Sequence, residues 1–304
     1  MSGAGETMTE RSGGRTVSHA IERVAVIGAG TMGHGIAQVA AAAGCHVALV
    51  DTDEERVRHA LERVRENLDG GVERGKLSAA DRDVALERLR GEPDLRAAAA
   101  DADLVIEAVP ERLDVKASVF RDVEAAAGAD AILATNTSSL SVTELAGRLE
   151  RPDRLIGLHF FNPVHIMKLV EVVRGRASDE AAVQAGVEFC HRIGKEPILV
   201  NDSPGFASSR LGIALGLEAM RMVEEGVASP EDIDKAMELG YRHPMGPLRL
   251  TDLVGLDVRL DIARYLHETL GQEHFRPPAI LERMVEEGRL GRKSGRGFYD
   301  WEDA

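Results

Sequence analysis

The chain has 304 residues, 44% hydrophobic and 29% charged, with a formal net charge of −14. That is the composition of a soluble globular protein with room for one large or two medium domains. The negative balance argues against nucleic acid or an anionic membrane as partner, and no apolar run approaches the ~20 residues that span a bilayer.

Residues 1–20 are rich in Gly, Ser and Thr, carry Glu6 and Glu10 and have no apolar core. They read as a disordered tail rather than a targeting peptide. Cys45 and Cys190 stand far apart and outside any metal-type spacing, so free thiols in the cytoplasm and no metal site are expected.

Order begins at Arg23-Val24-Ala25-Val26-Ile27, a β-branched run that reads as a buried parallel strand. It leads into Gly28-Ala29-Gly30-Thr31-Met32-Gly33 and a helical pattern from Thr31 to about Ala43. In this setting the first glycine permits a tight turn and the second lets the backbone approach a pyrophosphate. The third lets helix pack on strand, and the helix N-terminus supplies amide donors. The next strand, His46 to Val50, ends in Asp51, where a dinucleotide fold places the acid that binds the adenosine ribose. Its charge would repel a 2′-phosphate and no arginine follows immediately, which favours NAD over NADP. A helix N-cap is the plainer role for Asp51, with Asp53 a rival for it.

From Asp53 to about Arg90 the pattern is helical and heavily charged, as two helices parted near Gly70-Gly71 or as one long arm. Arg74-Gly75-Lys76 is either a solvated face or a contact for an anionic ligand. Strands at Ala102 to Pro110 and Ala131 to Thr135 flank a helix from about Glu111 to Ala126. Alternation of this kind means a doubly wound parallel sheet with ligands beyond the carboxyl ends of its strands. Gly28, Asp51, Glu111, Asn136 and Ser138 all fall at such ends.

Two further apolar strands carry His159 and Glu171. An imidazole can exchange a proton at neutral pH, a carboxylate on its other nitrogen would fix the tautomer, and the Ser138 hydroxyl could polarise a substrate oxygen. A satisfied interior histidine beside an ordinary strand-end charge is the alternative, which the dinucleotide motif upstream disfavours. A helix from about Asp179 to Ile193 and a strand from Pro197 to Val200 close this unit. After Ser203-Pro204-Gly205 the texture changes to helix upon helix: Phe206 to Glu225, Pro230 to Leu239, Leu256 to Leu270 and Pro277 to Glu287. The expected domains are 21–202 for the dinucleotide and 203–304 for an all-helical substrate and dimerisation unit. The first helix of the latter is too apolar for one buried stripe.

Together, Gly28-x-Gly-x-Met-Gly33, Asn136-Thr-Ser-Ser139, His159-Phe-Phe-Asn-Pro163, Lys168-Leu-Val-Glu171 and Pro204-Gly-Phe206 resemble the L-3-hydroxyacyl-CoA dehydrogenases. So do Met245-Gly-Pro247, Asp252-Leu-Val-Gly-Leu-Asp257 and Gly291-Arg-Lys-Ser-Gly295 with Gly297-Phe-Tyr299. The likeness covers about Ile21 to Trp301 and is closest to the bacterial 3-hydroxybutyryl-CoA type. It implies a Rossmann-like N-terminal domain, a helical C-terminal domain that forms a homodimer, NAD as cofactor and an acyl-CoA substrate. By this resemblance His159 is general base and acid, Glu171 its partner, and Ser138 a contact of the substrate 3-oxygen and the nicotinamide ribose. Gly28, Gly30, Met32, Gly33, Asp51, Glu111, Lys116, Asn136 and Asn162 would contact NAD, and Arg74 and Lys76 coenzyme A.

Ser209 departs from the pattern, since the family usually has Asn there for a substrate contact. A hydroxyl is shorter and cannot donate and accept across the span of an amide. His165, where the family has a small residue or proline, is read as an edge substitution. Gulonate- or carnitine-type dehydrogenases and a non-catalytic crystallin-like relative remain as alternatives. The C-terminal motifs favour the acyl-CoA branch over the former, and the retained Ser138, His159 and Glu171 argue against the latter.

Overall fold

A computed structural model describes residues 21–301, so the tail expected over 1–20 lies outside the described residues. The first half runs β1 (Arg23–Ile27), α1 (Thr31–Ala42), β2 (His46–Val50), α2 (Glu54–Glu73), α3 (Ala79–Glu87), β3 (Leu89–Gly91), α4 (Leu95–Ala100), β4 (Leu104–Glu107), α5 (Leu113–Ala126) and β5 (Ile132–Thr135). It continues with α6 (Val142–Ala146), β6 (Leu155–Phe160), β7 (Leu169–Arg174), α7 (Glu180–Arg192) and β8 (Glu196–Asn201). The helical part follows as α8 (Ser208–Glu224), α9 (Pro230–Tyr241), α10 (Pro247–Val254), α11 (Leu256–Leu270) and α12 (Ala279–Glu286).

All eight strands form one sheet in the order β3-β2-β1-β4-β5-β6-β7-β8, parallel except at β6–β7. Alternate residues of each inner strand serve opposite faces, because strand side chains alternate. Val24 and Val26 join Ile36, Leu49 and Ile106 on one face, while Ala25 and Ile27 join Val105, Phe120 and Leu133 on the other. Ile213, Leu217, Met220, Leu260 and Leu281 build a separate core among the later helices. Phe206, which opens α8's approach, packs into the sheet's own core, so the helical part is anchored beside the β6–β7 strand ends.

Several local expectations change. Helix α2 runs through Gly70 and Gly71 to Glu73, and the break falls at Arg74 to Leu77. Each glycine costs about 1 kcal/mol against alanine in a helix. The buried cluster of Val64, Leu68 and Ala85 holds α2 on α3 and outweighs that cost. The edge strand β3, the short helices α4 and α6, and α10 inside the Gly/Pro-punctuated stretch are additional elements. Phe298 to Trp301 forms no strand and carries a single isolated bridge, from Asp300 to Arg296. The tail is tied down instead by Asp252, whose carboxylate accepts from the amides of Phe298 and Tyr299 and from Trp301 Nε1 at 2.9–3.0 Å.

Candidate active site

Gly28 adopts φ 107°, and a Cβ there would stand 2.6 Å from the Ala108 carbonyl oxygen, so only glycine fits between β1 and β4. A Cβ on Gly33 would stand 1.7 Å from the Gly28 oxygen, which is the close helix-on-strand packing the motif requires. At Gly30 the same position meets open space. Met32 is half-buried and packs on the sheet core. Side chains cap several of the helices: Asp53 caps α2, Ser78 α3, Asp179 α7 and Ser229 α9. The α1 N-terminus has neither a side-chain cap nor an acid in its first turn. Its amides and positive dipole end are therefore available to an anion. A groove of about 550 Å³ opens beside it, walled by Gly30 and Thr31 and by side chains of mixed charge, Arg56, His59 and Arg63 with Glu62 and Glu66.

The capping role falls to Asp53, which leaves Asp51 to clamp the glycine loop by accepting from the Ala29 amide at 2.9 Å. Arg56, one turn into α2, lies 4.0 Å from Asp51. An arginine does stand near this carboxylate, supplied by the helix rather than by the residue that follows. A second hollow, of about 320 Å³, lies at the opposite, amino-terminal strand ends between Arg23, Asp103, Gly128 and Arg151. None of the motif residues line it.

Across the sheet, β4 and β5 end in a buried network. Lys116 and Glu107 pair at 2.7 Å with side-chain exposures of 1% and 0%. The Thr135 hydroxyl and the Val109 amide also donate to Glu107 at 2.7 Å. Burial pushes the Glu107 carboxyl above its ordinary value, against the pull of Lys116 and these donors. Lys116 further reaches Glu111 at 3.2 Å. Glu111 in turn gathers the 137–139 loop: its Oε1 accepts from Thr137 Oγ1 at 2.6 Å, the Ser138 amide at 2.9 Å and the Ser138 hydroxyl at 3.3 Å. Burial would raise its carboxyl, but Lys116 and these donors prevail and hold it below its usual value. Asn136 ties β5 to β6 by accepting from the Phe160 amide at 2.9 Å. Lys116 is thus placed beneath the loop as a support, and Glu107 is a member of the site that the sequence reading passed over.

The antiparallel register of β6 and β7 sets His159 directly opposite Glu171. Residues so paired share a face, and His159 Nδ1 lies 2.7 Å from Glu171 Oε2, with Glu171 fully buried. An ionised carboxylate only accepts, so Nδ1 carries the proton towards Glu171 and Nε2 of the neutral ring is left with its lone pair free. The rings of Phe161 and Phe206 flank the imidazole, with centroids at 4.5 and 5.8 Å.

Glu171 has more partners than sequence reasoning supplied. The Ala207 and Ser208 amides donate to Oε1 at 3.0 and 2.8 Å, and the Ser208 hydroxyl donates to Oε2 at 2.8 Å. The turn that delivers them holds Gly205 at φ 74° and Phe206 at φ 48°, the latter a strained conformation for a bulky residue. Burial alone would raise the Glu171 carboxyl, but the bonds from His159 and Ser208 hold it below its ordinary value. Ser209 stands in the same first turn of α8, half-buried.

Asn162 is exposed at the turn before Pro163, and Arg74 and Lys76 are exposed beyond the end of α2. A 3.0 Å bond from Asn67 to Gln38 holds α2 against α1. Partial burial, and then the neighbouring His34, Lys195 and Arg74 side chains, hold the His165 imidazole below its ordinary value. In a chain of net charge −14, that is a local basic patch at the rim of the site.

The sequence of residues 23–203 matches the model of the 3-hydroxyacyl-CoA dehydrogenase NAD binding domain, and residues 205–301 match that of the same family's C-terminal domain. The chain belongs to the 3-hydroxyacyl-CoA dehydrogenase family. It is an NAD-dependent oxidoreductase of that family. It is 44% identical over 283 residues to a probable 3-hydroxybutyryl-CoA dehydrogenase of Bacillus subtilis (strain 168), covering 93% of this chain and 98% of that protein. It is also 44% identical over 282 residues to the 3-hydroxyadipyl-CoA dehydrogenase of Escherichia coli (strain K12), covering 92% of this chain and 59% of that protein. The crystal structure of (S)-3-hydroxybutyryl-CoA dehydrogenase from Ralstonia eutropha superposes with a TM-score of 0.90 at 40% identity, covering 92% of this chain and 99% of that one.

For this dehydrogenase the C-terminal motifs prove architectural. A Cβ on Gly297 would stand 2.2 Å from the Asp252 carboxylate, and one on Gly291 2.3 Å from the Asp252 carbonyl oxygen. Asp234 accepts from the Leu248 and Arg249 amides and from the Tyr299 hydroxyl, all at 2.8 Å. These residues lock the tail onto α9 and α10. Both cysteines are free and buried, with burial pushing the Cys190 thiol up to about 12.

Proposed function

We propose that the chain oxidises a short-chain (S)-3-hydroxyacyl-CoA to the 3-oxo thioester, reversibly, with His159 as base and acid. The observation that carries this reading is the buried 2.7 Å contact of His159 with Glu171, set at the carboxyl end of β6, the same edge of the sheet as the glycine loop. His159 Nε2 takes the proton of the 3-hydroxyl, and Glu171 stabilises the imidazolium that results. NAD, when bound, supplies the hydride acceptor. The Ser138 hydroxyl leaves Glu111 to donate to the 3-oxygen. Asp51 holds the adenosine ribose, while Gly28, Gly30 and Gly33 with the open α1 terminus cradle the pyrophosphate. Glu111, Asn136 and Asn162 border the nicotinamide half, with Lys116 acting beneath them.

Arg74 and Lys76 meet the phosphates of coenzyme A at the basic rim. The phenyl rings of Phe161 and Phe206 beside the imidazole favour a short acyl chain, as do the names of the Bacillus and Ralstonia relatives. The two buried free thiols fit a reducing compartment, and a cytoplasmic enzyme is the corresponding proposal. Among the described residues no helix is long and apolar enough to cross a membrane.

The test is NADH oxidation with acetoacetyl-CoA, run beside NADPH, free acetoacetate and longer or carboxylated 3-oxoacyl-CoA thioesters. Fast turnover with NADH, specific to the thioester and greatest at four carbons, is expected. Turnover of free acetoacetate or carnitine substrates alone would overturn the reading.

Ser209 gives a sharper expectation. Installing the longer amide as Ser209→Asn is expected to raise kcat/KM by about tenfold, part of the 10²–10³-fold that one oxyanion donor supplies. An unchanged value would deny the position any substrate contact.

The proposed homodimer forms through the helical part. Leu211 (72% exposed) on α8, Leu250, Leu253 and Val254 on α10 and Val258 on α11 leave an apolar face uncovered, of the kind that marks an interface. Sedimentation velocity is expected to show a dimer that Leu211→Asp with Leu253→Asp shifts towards monomer. A wild-type monomer at micromolar concentration would contradict it.

A further inference from the structure

The carboxylate oxygen that meets the imidazole is shared. Glu171 Oε2 receives His159 Nδ1–H at 2.7 Å and the Ser208 hydroxyl at 2.8 Å. The hydroxyl must donate here, because an ionised carboxylate has nothing to give. A second donor on one oxygen draws off the electron density that would otherwise serve the imidazole, so it makes Glu171 a weaker acceptor for His159. It also fixes the plane of the carboxylate, since the Ala207 and Ser208 amides hold the other oxygen at 3.0 and 2.8 Å. Among the described residues, Glu171 is the charged group that faces His159 across β6–β7. Phe161 and Phe206 flank the ring, and the first turn of α8 contributes Ser208 and backbone amides to the pair.

We propose that Ser208 is a positioning residue for the general base: its hydroxyl sets the proton affinity of His159 by sharing Glu171 Oε2. The serine belongs to the helical part of the chain and the pair to the sheet. The helical part of the chain thus contributes one hydroxyl to the acid–base pair of the sheet.

This inference rests on the proposed acid–base role of His159 and is tested by two independent readings. Removing the donor in Ser208→Ala makes Glu171 the stronger acceptor and favours the imidazolium. The acid limb of the kcat/KM profile for hydroxyacyl-CoA oxidation then moves up by about 0.5–1 pH unit, while kcat on the alkaline plateau changes less than threefold. Ser208→Thr restores the hydroxyl and returns the limb to its wild-type position. The second reading needs no turnover: the ring of His159, followed by NMR in full-length protein with labelled histidine and assigned with His159→Gln, titrates at higher pH in Ser208→Ala. A limb and an NMR titration that do not move in Ser208→Ala would overturn the proposal, even if the variant lost thermal stability. Wild-type protein that fails to turn over any hydroxyacyl-CoA, yet shows the NMR shift, would remove the proposed function and leave the effect of Ser208 on His159 standing.

Discussion

His159→Gln is expected to lower kcat with acetoacetyl-CoA by about 10³-fold, within the 10²–10⁴ range of a positioned acid–base group, and to leave NADH affinity unchanged. The separation of the two effects follows from placement. The glycine loop, the uncapped α1 terminus and Asp51 lie at the ends of β1 and β2, whereas His159 lies on β6, three strands from β1 across β4 and β5. Glutamine can still donate towards Glu171 but cannot accept and return a proton near neutral pH. Loss of NADH binding in step with kcat, read by fluorescence titration, would mean that the histidine is structural.

Lys116→Met is expected to carry the largest stability cost in the chain. Its ammonium and the Glu107 carboxylate are both shut away from water, at 1% and 0% exposure. Removing one partner of a buried pair costs about 3–5 kcal/mol, because the other is left unpaired. For a protein of this size that corresponds to a fall in Tm of roughly 10 °C, checked by calorimetry. The double variant Glu107→Gln with Lys116→Met is expected to recover most of the loss. If instead Tm holds and the Kd for NAD rises, the lysine contacts the cofactor directly, as its family position implies.

The dinucleotide half of this site was open to reading from the sequence because its signals are local. Gly28 to Gly33 lie within one turn, and Asp51 ends the very next strand. The His159–Glu171 pairing was a chemical expectation, drawn from an imidazole and a carboxylate on two apolar strands and from the family resemblance, with no geometry behind it. What brings them together is the single antiparallel pairing in the sheet, and strand direction leaves no mark in an apolar run.

Ser208 stayed hidden for a similar reason. Its partner lies across the junction of the sheet and the helical part, and a serine early in a helix reads as a cap. Helix α8 has no side-chain cap bond, and this serine turns to Glu171 instead. Strand β3 escaped notice because it is three residues long and brings only Leu89, half-buried, to the core. Helix α10 was obscured by Pro244 and Pro247, the second of which is its first residue and a favoured helix start. Asp252 and Gly297 carried a family signature whose purpose is tail anchoring, and motif order alone does not separate anchoring from chemistry.

The most direct measurement is a crystal structure of the full chain with NAD and acetoacetyl-CoA. The expected complex has the 3-oxygen within hydrogen-bond distance of His159 Nε2 and the Ser138 hydroxyl, with Ser138 turned away from Glu111 and Glu171 still held by Ser208. A 3-oxygen lodged away from both His159 and Ser138 would contradict the assignment of this pair as the chemical centre.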